Sequence, residues 1–289
     1  MSTSPSGQNE RKLNWRSSDI ERKLFFPGGR FTKVSHVLSA VIALVCTTAF
    51  YGLLEIPQLR ESWLYDIFVE RGPTQFITVF LFAWCMSLLV IKRQKLALQR
   101  KVLDLKIVPR DIGFVLSPES ASLVLNHVEE LVDDPRKFLV LNRVVVALSN
   151  LKNLKRVGDV DDILRSQAQQ DEAGIETSYA LLQGFVWAIP VLGFIGTVLG
   201  LSEAIGQFGG VLGSSDDLSQ ISSSLKNVTA GLATAFDTTL VALIAALIVQ
   251  LSITFMRKEE EEFLDDAMEF GLRNIVNRLR LVDEGIGAD

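Results

Sequence analysis

Ile189-Pro190-Val191-Leu192-Gly193-Phe194-Ile195-Gly196-Thr197-Val198-Leu199-Gly200 and, further along, Gly231-Leu232-Ala233-Thr234-Ala235-Phe236-Asp237-Thr238-Thr239-Leu240 are the two runs around which the chain is organised. In the first, Gly193, Gly196, Thr197 and Gly200 stand at i, i+3, i+4 and i+7, so a helix places its glycines and one hydroxyl on a single face. In the second, Gly231, Ala235, Thr239, Ala242 and Ala246 step by four or three, again with one hydroxyl in a seam of small residues. Small residues let helix backbones approach closely inside a membrane, so the two seams suit each other or a neighbouring subunit.

Both runs lie in apolar stretches long enough to cross a bilayer, which takes about 20 residues for a core roughly 30 Å thick. Four such stretches occur, at residues 34–54, 72–91, about 180–202 and about 228–256, and mean hydropathy over the chain is positive. The first three carry no charge and the fourth carries only Asp237. The expected fold is therefore all-α, a four-span helical membrane protein whose third and fourth helices extend into a helical cytoplasmic domain. Its parts are a cytoplasmic tail (1–33), a first transmembrane hairpin (34–91), a helical cytoplasmic domain (92–179), a second hairpin bearing the two runs (180–256), and a cytoplasmic C-terminal helix and tail (257–289). The first span has a long polar segment before it and no small-x-small cleavage pattern after it, so it reads as retained. Cys46 and Cys85 fall inside spans, where small buried apolar residues are expected.

Charge sets the orientation. Arg22, Lys23, Arg30 and Lys33 precede the first span, and Lys92, Arg93, Lys95, Arg100, Lys101 and Lys106 follow the second. Both flanks are expected on the cytoplasmic side, with 55–71 outside, and Arg257-Lys258 returns the C-terminal segment to the cytoplasm. The 55–71 linker is bracketed by Pro57 and Pro73, and its Trp63 and Tyr65 suit a half-wet interface. The tip of the N-terminal tail is expected to be disordered. A net charge of -5 gives no support to a nucleic-acid partner.

Within 92–179, Ser117-Pro118-Glu119 reads as a helix start feeding Leu123, Leu125, Val128, Leu131 and Val132, with a break at Asp134-Pro135. A further helix is expected over 137–155, and another from Asp159 running straight into the third span. The Gly, Ser and Asp content of 206–220 predicts a flexible external loop. Beyond Met256, Leu264, Met268, Leu272, Ile275 and Leu279 predict an amphipathic helix whose stripe needs a partner. The acidic run 259–262 reads as a solvated face.

No enzyme is expected: nucleophile elbow, P-loop and dinucleotide fingerprints are missing, and His36 and His127 belong to no metal-ligand spacing. His36 reads as a satisfied interfacial residue rather than a proton carrier. The informative polar residues lie inside the membrane. A threonine there can bond the carbonyl one turn earlier and be silent. Thr197 and Thr239, each on a small-residue face, could instead line one hydrophilic track between helices. Thr238 to Met256 are nineteen uncharged residues, a rise of about 28 Å, so Asp237 stands near the outer boundary. Ion entry and a structural or solvated role are both open for it. Pro190 is expected to loosen its helix and free the carbonyl near Val186.

Pro190 to Gly200 is similar to the proline-led Gly-x-x-Gly-Thr-Val-x-Gly run of the MotA/TolQ/ExbB proton channel (stator) family, and Ala235 to Leu243 resembles that family's alanine-to-double-threonine run. The likeness covers roughly a quarter of the chain, about 184–246. It implies a homopentamer in the bacterial inner membrane, around a dimer of a MotB-, TolR- or ExbD-like single-span partner with a membrane aspartate. On this reading the chain conducts protons, or alternatively Na+, and converts ion motive force into mechanical work, with no other cofactor. The ion-path candidates are Thr197, Thr239, Thr238, Thr234 and Asp237. The helix-packing or subunit-interface candidates are Pro190, Gly193, Gly196, Gly200, Gly231 and Ala235. Two spans before the cytoplasmic segment is the MotA arrangement, while the motif wording is closer to TolQ and ExbB. Ala242 stands where those proteins commonly have glycine, and Asp237 where many carry an uncharged residue. Two other classes are weighed against this one. A secondary transporter would show repeated halves, and the two hairpins share no motif. A scaffold without flux would tolerate loss of both threonine hydroxyls.

Overall fold

The computed structural model describes residues 13–24, 26, 28–108, 116–117, 119–151, 157–212 and 218–280. Among them there is no strand, only two isolated β-bridges. Short helices α1 (Trp15–Ser18) and α2 (Ile20–Lys23) precede α3 (His36–Leu54). Next come α4 (Pro57–Arg60), α5 (Trp63–Tyr65), a π-helical turn (Asp66–Glu70) and α6 (Pro73–Arg100). After α7 (Ala121–Leu131), a 3-10 turn (Pro135–Lys137) leads to α8 (Leu139–Ser149), followed by α9 (Val157–Thr177), α10 (Ala180–Leu212) and α11 (Leu218–Asn274). Among the described residues, four helices are long and apolar enough to span a membrane. The protein is thus an all-α, multi-pass membrane protein. It divides into a membrane unit (His36–Val90, Tyr179–Met256) and a polar unit (Met1–Ser35, Ile91–Ser178, Arg257–Asp289).

In the membrane unit α3 and α6 are tied by polar contacts that an apolar environment makes costly to leave unmade. Trp84 Nε1 donates to Ser39 Oγ at 3.0 Å and Ser87 Oγ to the Ser39 carbonyl at 2.9 Å. Tyr51 stacks on Phe76 at the other end of the hairpin. The 55–71 linker is not irregular: it holds α4, α5 and the π turn, and Gly72 (φ +94°) supplies the left-handed residue before Pro73 opens α6. Cys85 is buried, but Cys46 faces outward, because its side of α3 meets no other helix of the unit. His36 is likewise exposed. α10 continues through Pro190. It also runs to Leu212, and α11 starts at Leu218, so helix takes up much of the expected external loop; residues 213–217 lie outside the described ones. Glycine in 206–212 lowers helix propensity without breaking a ladder that the apolar span has already nucleated.

The polar unit is a helical core closed by crossing chain ends. Leu13 pairs with Val132 and Leu116 with Leu279. Trp15, 1% exposed, packs edge-on against Phe138, and its backbone N–H donates to Asp133 Oδ1 at 2.7 Å. The tip expectation falls on residues 1–12, outside the described ones, as does Pro118. On α7 the buried face is Ala121, Val124, Val128 and Leu131, whereas Leu123 is 66% exposed: the face that meets α8 sets the phase. The helix expected over 137–155 begins at Leu139 and ends at Ser149, and 152–156 are not described. α9 ends at Thr177 and α10 begins at Ala180, with only the two-residue turn Ser178-Tyr179 between them.

On α11 the buried residues beyond the span are Glu260, Phe263, Ala267 and Gly271. Leu264, Met268 and Leu272 are only half-buried, one position off the stripe expected, and the helix stops before Ile275. The acidic run is likewise split. Glu260 is 1% exposed and pairs with Lys92 Nζ at 3.0 Å, while Glu259 and Glu262 stay solvated. Lys92 also donates to Ser178 Oγ at 2.8 Å. Lys95 pairs with Glu21 and donates to the Lys33 carbonyl at 2.7 Å. Glu21 in turn accepts from the backbone of Gly29 and Ser35. Buried charges that are paired and multiply hydrogen-bonded in this way fix register more than they add stability.

Candidate functional site

Within the membrane unit the two small-residue seams close on each other. Ile189, Gly193, Gly196, Gly200 and Ala204 form the buried face of α10. A Cβ added at Gly193 would lie 2.5 Å from Ala242 Cβ, at Gly200 2.8 Å from the Gly231 carbonyl oxygen, and at Gly231 2.7 Å from Ala204 Cβ. Only glycine lets the backbones come so near. Gly193, Gly196, Gly200, Gly231 and Ala235 therefore pack within one chain. Ala242 fills the space over Gly193.

That approach brings Thr197 and Thr239 together. Their hydroxyls are in direct contact. Thr197 Oγ1 also lies within donating distance of the Gly193 carbonyl (3.2 Å) and the Ala235 carbonyl (3.0 Å), and Thr239 Oγ1 of the Gly193 carbonyl (3.1 Å). Each hydroxyl carries one proton, so two protons face more acceptors than they can serve at once. The arrangement can be rewired by turning a hydroxyl, without moving a helix. Both residues are half-buried rather than sealed.

The other candidates behave differently. Thr234 bonds the Ala230 carbonyl at 3.1 Å and Thr238 the Thr234 carbonyl at 2.9 Å, each within its own helix. Thr238 is 1% exposed and faces Gly196, where Thr74 of α6 also closes in. Asp237 does not join the threonine pair; its Oδ2 lies 2.9 Å from Arg71 Nε, with both side chains 22% exposed. Thr74 and Arg71 are absent from the residues the sequence singles out. The spacing of Thr74 and Thr78, i and i+4 on one face of an otherwise apolar span, is the signal that could have found the first, since both are buried. Arg71 gives no such signal, because a charge at a span end is ordinary.

Residues 140–269 match the family model described as the MotA/TolQ/ExbB proton channel family, a region that includes both seams and the threonine pair. No curated protein and no solved structure matches the chain.

Proposed function

We propose that the chain, whose residues 140–269 match the model of the MotA/TolQ/ExbB proton channel family, is the ion-conducting subunit of a rotary motor in a bacterial inner membrane. Five copies surround the membrane helices of a dimeric single-span partner of the MotB, TolR or ExbD kind, and proton flow, with Na+ the alternative, is converted into mechanical work. The observation that carries this reading is the contact of Thr197 with Thr239. The two hydroxyls bond across from one helix to the other, on faces otherwise made of small apolar residues. Its hydroxyls are half-buried, so a carboxyl on a partner helix can reach them.

The chemistry is solvation without water. A protonated partner carboxyl donates to a threonine oxygen; once it has lost its proton, the carboxylate accepts from a hydroxyl that has turned toward it. The carbonyls of Gly193 and Ala235 hold the hydroxyl protons in the interval. Carbonyl and hydroxyl oxygens together are also a hard-donor set that Na+ accepts. Asp237, tied to Arg71, pins α11 to the start of α6 in this scheme. Both termini lie on the cytoplasmic side in this scheme, a placement that the cationic flanks of the first hairpin support.

Native mass spectrometry of the complex, purified gently in detergent, tests the reading by counting copies. Five copies with two of a smaller membrane protein is the expected result. A monomer or simple dimer without such a companion would contradict it and turn attention to the transporter and scaffold readings.

A further inference from the structure

In the polar unit, a cleft of about 260 Å³ opens between residues 30–33, α8 and α9, and nothing in the ion path uses it. Arg30 and Lys33 contribute from one side, Asn142 from α8, and Gln167, Gln170 and Asp171 from α9. Behind this wall Arg143, its side chain 4% exposed, donates from Nε to Asp171 Oδ2 at 2.8 Å. Its Nη1 and Nη2 are buried without a hydrogen-bond partner. Asp171 is thus already neutralised by Arg143. Arg30 and Lys33 are exposed, and neither forms an ion pair among the described residues. The cleft carries a surplus of positive charge and three amide side chains able to donate.

The turn presenting Arg30 and Lys33 is held rather than loose. Lys33 N–H bonds the Arg30 carbonyl at 3.0 Å, Thr32 is 2% exposed, and Phe31 takes a left-handed φ of 56°. A non-glycine residue keeps such a conformation only where its surroundings demand it, and such residues gather at ligand clamps.

We propose that this cleft binds a phosphate-bearing anion, with Arg30 and Lys33 supplying the charge and Asn142, Gln167 and Gln170 the neutral donors. The volume exceeds that of inorganic phosphate and leaves room for the group the phosphate is attached to. Two sources share this chemistry. One is the headgroup of an anionic phospholipid, since Arg30 and Lys33 immediately precede α3, the first span. The other is a soluble phosphate ester.

The test uses the full chain. Its thermal unfolding is followed in detergent with inorganic phosphate titrated against chloride at equal ionic strength, and then in nanodiscs of phosphatidylcholine with and without phosphatidylglycerol. Stabilisation by phosphate alone assigns a soluble ligand, and stabilisation by phosphatidylglycerol, with or without phosphate, assigns the headgroup. In either case the double substitution Arg30→Ala/Lys33→Ala, at exposed positions, should weaken the effect at least about tenfold while leaving unliganded unfolding in place. Gln170→Glu, also exposed, should weaken it too by introducing a carboxylate. No response to phosphate beyond chloride and none to phosphatidylglycerol, or a response that both variants retain, would overturn the proposal.

Discussion

Replacing Gly200 by alanine probes the seam where main-chain atoms press on it. The added carbon would sit 2.8 Å from the Gly231 carbonyl oxygen and 2.9 Å from Ala235 N, both main-chain atoms of α11 that cannot rotate away. That is roughly 0.5 Å short of ordinary contact, so the two helices must part. Overpacking of this kind costs about 1–3 kcal/mol. Alanine in a helix interior recovers about 0.5–1 kcal/mol of that through backbone entropy. Gly184, on the same helix, has nothing within 4 Å of the corresponding position, so Gly184→Ala shows the entropic gain alone. The gap between the two variants is then the overpacking term, about 1–3 kcal/mol, in opposite directions around wild type. Unfolding of each purified variant in one detergent, followed by tryptophan fluorescence, measures it. Parting the helices also lengthens the 3.0 Å contact from Thr197 to the Ala235 carbonyl, so Gly200→Ala should impair ion-driven work as well. Equal stabilisation by both substitutions would refute the close-packed seam.

Three further outcomes follow from the charged groups. Asp237→Ala should cost about 1–3 kcal/mol, between the values for exposed and buried pairs, and Arg71→Gln/Asp237→Asn should retain ion flux; loss of flux in that double variant, with the fold intact, would return Asp237 to the ion path. Lys92→Met alone should destabilise by about 3–5 kcal/mol by removing the cation opposite the buried Glu260 carboxylate, whereas Lys92→Met/Glu260→Met should recover most of it, and equal losses in both would contradict the pairing. Burial raises the Asp19 carboxyl above its usual 3.8, offset only in part by Lys95 and the Glu21 N–H. A carboxyl with a raised pKa holds its proton more tightly in the folded chain, so stability falls as pH rises from 3.8 through the folded value, and the cost persists at neutral pH. Asp19→Asn keeps the cap on Glu21 and should flatten that limb in denaturant melts; an unaltered pH profile would contradict it.

How much could be read before the structure depends on how local the signal is. The four spans are local: long uncharged runs leave helix as the one way to satisfy the backbone in lipid. The seams are nearly as local, because i, i+3, i+4 spacing in glycine has few other uses inside a span, and it led to Thr197 and Thr239. Whether the seams met each other or a neighbour was not legible, and it took the atoms around Gly193, Gly200 and Gly231 to pair them within one chain. In the polar unit periodicity gave helices but missed their phase. Leu123 and Leu264 are as apolar as the residues that displaced them, and only the facing helix chooses between adjacent stripes. Charge misled most. Glu260 reads as part of a solvated acidic run, yet it is buried against Lys92, as Lys95 is against Glu21, in pairs that join segments remote in sequence.

On the proposed function, the paired hydroxyls of Thr197 and Thr239 serve ion passage rather than packing. Proton uptake into liposomes containing the chain with its partner, driven by an imposed potential, addresses it directly in Thr239→Val and Thr239→Ser. Valine keeps the shape and removes the hydroxyl, while serine restores the hydroxyl and removes a methyl. The account expects flux lost in valine and largely kept in serine, with assembly unchanged in both. Wild-type flux through the valine variant would contradict it and leave Thr239 a packing residue.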